Sequence, residues 1–154
     1  MNPAMKEFDE QTGHRYFAAS GFNRTWELID LPARTDAENE QMLLRAYASL
    51  WHWTQRADCT PRNLSVGYWL ISRVHALLKQ AGPAKHFGEL SLESAEQEPP
   101  FYKAYAYEAL ARAAMEGGDR AGLEQSLQNA RQLADQVTET EDRSMLLNDL
   151  ETIQ

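Results

Sequence analysis

His52 stands between Trp51 and Trp53, on a narrow polar stripe with Arg45, Ser49 and Arg56 along an otherwise apolar segment. A neutral imidazole in that setting can take up or give a proton near neutral pH, or ligate a metal or small molecule. A hydrogen-bonded histidine at a packed interface is the plainer role for the same residue. One functional reading is therefore a small-molecule-binding or enzymatic pocket centred on His52, in the angle between the second and third helices. Cys59 lies in the loop before Thr60-Pro61, so it is separated from His52 by a helix end and reads as an inert loop thiol. Metal chemistry has little to build on. None of His14, His52, His75 and His86 has an acid three residues before it, there is no His-Glu-x-x-His, and the cysteine is alone. Glu10 and His14 share a helical face but form one pair only. Glycine-rich phosphate loops and Gly-x-Ser-x-Gly elbows are missing as well. No catalytic residue, metal or cofactor is assigned, and a non-enzymatic role is expected.

The elements that must position these residues are helices. Period-2 alternation and Asn-Gly or Asp-Gly turns do not occur, whereas helical periodicity returns in segment after segment. A first helix is expected from about His14 to Leu31, with Phe17, Ala18, Gly21, Phe22, Thr25, Leu28 and Ile29 on its core face and Pro32 ending it. Gly21 is a candidate for a kink or a split. Thr35-Asp36-Ala37-Glu38 reads as a capping box. The helix it opens, to about Ala57, is apolar nearly all round and is expected to be covered by neighbours. Thr60-Pro61 starts a third helix, to about Gln80, and Gly82-Pro83 breaks it from a fourth that runs to about Gln97. Pro99-Pro100 opens a fifth, which ends at Gly117-Gly118. Asp119 caps a sixth, to about Val137, and a short last helix carries Leu146, Leu150 and Ile153. The expectation is one all-α domain over residues 1–154, with a hairpin at 14–57, repeats at 61–97 and 100–137, and a capping helix at 140–153.

A shift of 36 residues superimposes Val74, Leu77, Leu78, Ala81 and Gly82 on Leu110, Ala113, Ala114, Gly117 and Gly118, and Trp69 on Tyr105. The run Tyr107-Glu108-Ala109-Leu110-Ala111-Arg112-Ala113-Ala114-Met115-Glu116-Gly117-Gly118-Asp119, with Ala130 in the next helix, resembles a tetratricopeptide repeat. The likeness extends over residues 68 to 135. The chain is also similar to a group of small uncharacterised bacterial proteins carrying Phe22-Asn23-x-x-Trp26-x-Leu28 and His52-Trp53. The resemblance implies about seven helices in stacked antiparallel hairpins forming a right-handed solenoid. It also implies that helices one, three and five line a concave face for a protein or peptide segment. Asn23, Trp26, Trp69, Arg73, Tyr105, Glu108 and Arg112 would form that face. Packing between hairpins, and an ordinary Glu108–Arg112 ion pair, account for the same residues without a ligand.

Composition bounds the partners. Hydrophobic residues make up 43% of the 154 and charged residues 25%, as in a folded domain, and the net charge is −8. An acidic chain with no basic block disfavours nucleic acid. A single cysteine, no signal-like start and no apolar run of membrane-spanning length point to the cytoplasm and away from membranes. Self-association through Leu146, Leu150 and Ile153 is a third reading, should the last helix leave them uncovered.

Overall fold

The computed structural model describes residues 8–154 and holds seven helices, with no strand among the described residues. They are α1 (Glu10–Ile29), α2 (Asp36–Gln55), α3 (Pro61–Leu77), α4 (Ala81–Ser94), α5 (Pro100–Glu116), α6 (Arg120–Ala134) and α7 (Thr140–Glu151). Local chemistry accounts for most of the boundaries. Asp9 caps α1 by accepting from the Gln11 amide at 3.2 Å, which starts the helix four residues before the periodic apolar pattern begins. The expected capping box at α2 is present, with Thr35 Oγ1 accepting from the Glu38 amide at 3.2 Å and Glu38 accepting from the Thr35 amide at 2.7 Å. Thr60 and Asn63 form a second box ahead of Pro61, and Asp119 accepts from the Gly122 amide at 2.9 Å.

Each helix packs on the next, and in addition α3 packs on α5, and α5 on α7. One core gathers Met42, Ala46, Leu50, Leu70, Ile71 and Val74, with Phe22, Trp26 and Trp69 against it. A second gathers Ala104, Ala111, Ala130, Ala134, Leu146, Leu150 and Ile153. Between them Ala76, Ala84 and Ala113 meet, where only small side chains let α3, α4 and α5 approach one another.

Several expectations need correction. Gly21 does not split α1. It lies at the crossing with α2, where an added Cβ would stand 3.0 Å from the Ser49 Cβ and 3.2 Å from the Arg45 carbonyl oxygen. The Ser49 hydroxyl donates to the Ala18 carbonyl at 2.7 Å across the same contact. α2 is not covered all round: Leu44 and Trp51 are each 54% exposed, and Phe17 of α1, assigned to the core face, is also open. α2 packs on α1 and α3, with Tyr47 reaching Phe87 of α4, and its remaining side faces solvent. Gly82-Pro83 is not the break between α3 and α4 but part of the first turn of α4, a position proline tolerates. The break is the left-handed Lys79, with φ of 61°. α2, α4 and α6 end two to three residues before the expected positions. Leu146, Leu150 and Ile153 are buried, so α7 closes the stack and leaves no apolar stripe there for self-association.

The helix pairs α3–α4 and α5–α6 correspond at an offset of 39 residues, not 36. Pro61 and Pro100, Leu77 and Glu116, and Ala81 and Arg120 are each 39 apart and begin or end equivalent helices. The turns match bond for bond. The Gln80 amide donates to the His75 carbonyl at 2.9 Å, and the Asp119 amide donates to the Ala114 carbonyl at 2.9 Å. Left-handed Lys79 corresponds to left-handed Gly118, with φ of 69°. In this register Arg73 is equivalent to Arg112 and Trp69 to Glu108. The pairing of Trp69 with Tyr105 is therefore replaced by Val66 with Tyr105.

Candidate functional site

A cavity of about 390 Å³ opens where the odd-numbered helices come together. α1 supplies Trp26, α3 supplies Ser65, Val66 and Trp69, α5 supplies Phe101, Tyr102 and Tyr105, and α7 supplies Met145 and Asp149, with Ser91 of α4 behind them. Its aromatic wall is continuous. The ring of Trp26 lies 5.6 Å from that of Trp69, Trp69 is 5.4 Å from Tyr105 edge to face, and Tyr105 is 5.0 Å from Phe101. A second cavity of about 320 Å³ shares Val66 and Tyr102 with the first and carries Phe22, Asn23, Trp53 and Arg62 on its wall.

Behind the aromatic wall stands a buried ionic cluster. Glu108, 1% exposed, accepts from the Trp69 indole Nε1 at 2.8 Å and from Arg73 Nη1 at 3.0 Å, and it is in close contact with Arg112 Nε. Arg112 Nη2 continues to the Asp149 carbonyl at 3.2 Å and the Thr152 hydroxyl at 2.8 Å, fastening α5 to α7. The Tyr105 hydroxyl donates to Asp149 Oδ2 at 2.6 Å. Burial pushes the Glu108 carboxyl up to about 7, against the pull of the Arg73 charge and the Trp69 donor. Burial, followed by the bond and charge of Asp149, also holds the Tyr105 phenol well above its ordinary value, so it stays a donor.

Of the residues singled out in the sequence, Trp26, Trp69 and Tyr105 line the main cavity, and Asn23 lines its neighbour. Arg73, Glu108 and Arg112 sit behind the wall. They orient Trp69 and lock α7 in place, and they do not line the cavity. His52 is elsewhere: it faces α1 and not α3, with its Nδ1 2.9 Å from Nδ1 of His14 and its ring 5.3 Å from Phe17. Burial and the neighbouring His14 lower the His52 pKa. His52 lines neither of the two cavities described above. The half-buried Cys59 thiol donates to the Thr60 carbonyl at 3.9 Å, and burial raises its thiol pKa, the wrong direction for a nucleophile. His75 is fully engaged: Tyr47 lies 2.9 Å from its Nε2, Gln80 lies 2.6 Å from its Nδ1, and Phe87 stacks on its ring. Among the described residues no three His, Cys, Asp or Glu side chains converge as a metal site would require. No helix among them is long and apolar enough to cross a membrane.

Phe101, Tyr102, Met145 and Asp149 escaped sequence reading. Phe101 and Tyr102 follow Pro100 in the first turn of α5, and in the 39-residue register they fall opposite Arg62 and Asn63. The two proline starts were the signal that would have aligned them. Asp149 sits in an acidic helix where nothing in its surroundings marks one carboxylate above another. No protein-family model, curated protein or solved structure matches the chain in a comparison with each.

Proposed function

We propose that this chain is a non-enzymatic interaction module, a TPR-like stack of helical hairpins that binds a protein or peptide segment in the aromatic cavity between its odd-numbered helices. The observation that carries the reading is the composition of that cavity. Four helices from four different parts of the chain each turn side chains into one trough, and five of those side chains are aromatic. Aromatic groups presented on rigid helices offer large contact area at little entropic cost, which is how binding hot spots are built. The 39-residue hairpin is longer than the 34 of a tetratricopeptide repeat, so the likeness is one of arrangement and not of sequence period. The pairing of α3 with α5 and α5 with α7 supports a stack in which odd helices share a face. The buried Glu108 cluster fits as the brace that fixes Trp69 and closes α7 over the end of the trough. A pocket centred on His52 has less behind it, because that ring is turned to His14 and away from the trough. Nucleic acid is not the expected partner: the net charge is −8 and no lysine or arginine lines the main cavity.

The test is selection from a random twelve-residue peptide library on the immobilised protein, with Met145→Trp as counter-screen. Met145 is 49% exposed on the cavity wall, so the larger ring obstructs the trough without opening the core. Selected peptides should lose at least tenfold in affinity for Met145→Trp. Peptides that bind both proteins equally would remove the cavity from the account.

A further inference from the structure

We infer that the segment this cavity accepts leads with a cationic side chain, a lysine or arginine flanked by apolar residues, and that Asp149 is its counter-charge. The inference rests on the binding role proposed above for the same cavity. The hydrogen-bonding groups of the walls are largely spent inside the protein. Ser65 and Ser91 hydroxyls each donate to the other's carbonyl at 2.9 Å. The Trp69 indole is committed to Glu108, and the Tyr105 hydroxyl to Asp149. Asp149 is the single charged residue on the cavity wall, and its Oδ1 makes no hydrogen bond among the described residues. Around it lie the rings of Trp26, Trp69, Phe101, Tyr102 and Tyr105, whose negative faces attract cations.

Ligand classes divide sharply on this geometry. An acidic segment would meet the Asp149 carboxylate with like charge, and a neutral one could offer it hydrogen bonds but no counter-charge. A cation on an apolar stem satisfies both the carboxylate and the rings. The molecule already does this at two other places. The Arg62 guanidinium lies 4.7 Å from the Tyr102 ring centre while pairing with Glu98 at 2.8 Å, and Arg56 lies 3.8 Å from the Trp53 ring centre while pairing with Asp58. The main cavity has the same two ingredients, ring and carboxylate, without a cation. The arginines of the Glu108 cluster do not pair with the Asp149 carboxylate: Arg73 turns to Glu108, and Arg112 turns its Nε to Glu108 and its Nη2 to the Asp149 backbone carbonyl and the Thr152 hydroxyl.

Peptides from the library selection are the probes. Each is synthesised with its lysines or arginines intact and with glutamine in their place, and titrated against the wild type, Asp149→Asn and Asp149→Glu, with melts to confirm folding. The expected result is a shared lysine or arginine, a loss of at least tenfold on changing it to glutamine, and a similar loss for Asp149→Asn. Asp149→Glu should keep most of the affinity, which separates lost charge from a disturbed α7. Affinity for the wild type should also fall with salt more steeply than affinity for Asp149→Asn. Peptides blocked by Met145→Trp yet lacking a cation, or indifferent to Asp149→Asn, would overturn the cation and leave the binding role standing. A selection yielding no peptide blocked by Met145→Trp would overturn both.

Discussion

Replacing Arg112 with methionine removes one side chain that joins α5 to the end of α7. Arg112 is 8% exposed; it faces Glu108 from the same helix and reaches the Asp149 carbonyl and Thr152 hydroxyl of the α7 end. Methionine keeps the packing of the apolar stem and ends where the guanidinium begins. What is lost is the charge facing a buried carboxylate and two bonds across the α5–α7 contact. Breaking a buried ion pair from one side costs about 3 to 5 kcal/mol. Glu108 keeps Arg73 and the Trp69 indole as partners, which places the expectation at the lower end, about 3 kcal/mol. For a domain of this length that corresponds to a melting temperature lower by about 6 to 12 °C. Chemical denaturation and thermal melts give the total, and amide hydrogen exchange locates it. Protection should fall first in α7, because α7 rests on α5 and α6 alone. A loss below about 1 kcal/mol, or unchanged exchange in α7, would show that Arg112 is not the fastener between these helices.

Three further outcomes follow from the same structure. Glu108 is held near 7 from an ordinary value of 4.5, so the unfolded chain releases this proton before the native one does, and the contribution of Glu108 to stability falls as pH rises from about 4.5 to 7. The stability difference between wild type and Glu108→Gln, followed by denaturation across that interval, should shrink by up to about 3 kcal/mol; a difference that is flat or grows with pH would mean the arginines keep the carboxylate ionised. His52 has the opposite sign: its lowered pKa means the unfolded chain binds a proton the native state resists, so stability is lost as pH falls below about 6.5. His52→Gln should flatten that acid-side loss, and parallel pH profiles for the two proteins would refute it. Lys79→Gly should stabilise by about 1 kcal/mol, because glycine relieves the left-handed backbone at φ 61° and the surface pair with Glu116 contributes little. A melting temperature that drops would contradict this.

How far the sequence carries depends on whether a feature is local. The caps at Thr35, Thr60 and Asp119 each work within four residues, so helix starts were readable from single side chains. The register was not, because the 36-residue match rested on small and apolar residues that recur on any helix, while the turn geometry fixes 39. α2 misled for a related reason. Apolar composition says a face can be buried, but coverage requires a neighbour, and α1, α3 and the Tyr47–Phe87 contact with α4 leave Leu44 and Trp51 open. Glu108 and Arg112 were legible as members of one stripe with Tyr105, yet not that two of the three turn behind the wall. That depends on Trp69 and Asp149, which lie 39 and 41 residues away from Glu108 in the chain. The contact between His14 and His52 joins different helices and leaves no pattern in either.

The central claim is that ligand enters the trough between the odd-numbered helices, and the four tryptophans report on it directly. Their indole N–H signals can be followed by heteronuclear NMR while a library-selected peptide is added. Trp26 and Trp69 line the trough, whereas Trp51 lies on the open face of α2 beside His52. The account predicts that the Trp26 and Trp69 signals shift on binding and that Trp51 stays in place. Movement of Trp51 with Trp26 and Trp69 unmoved would put the binding surface at the α1–α2 face and contradict it.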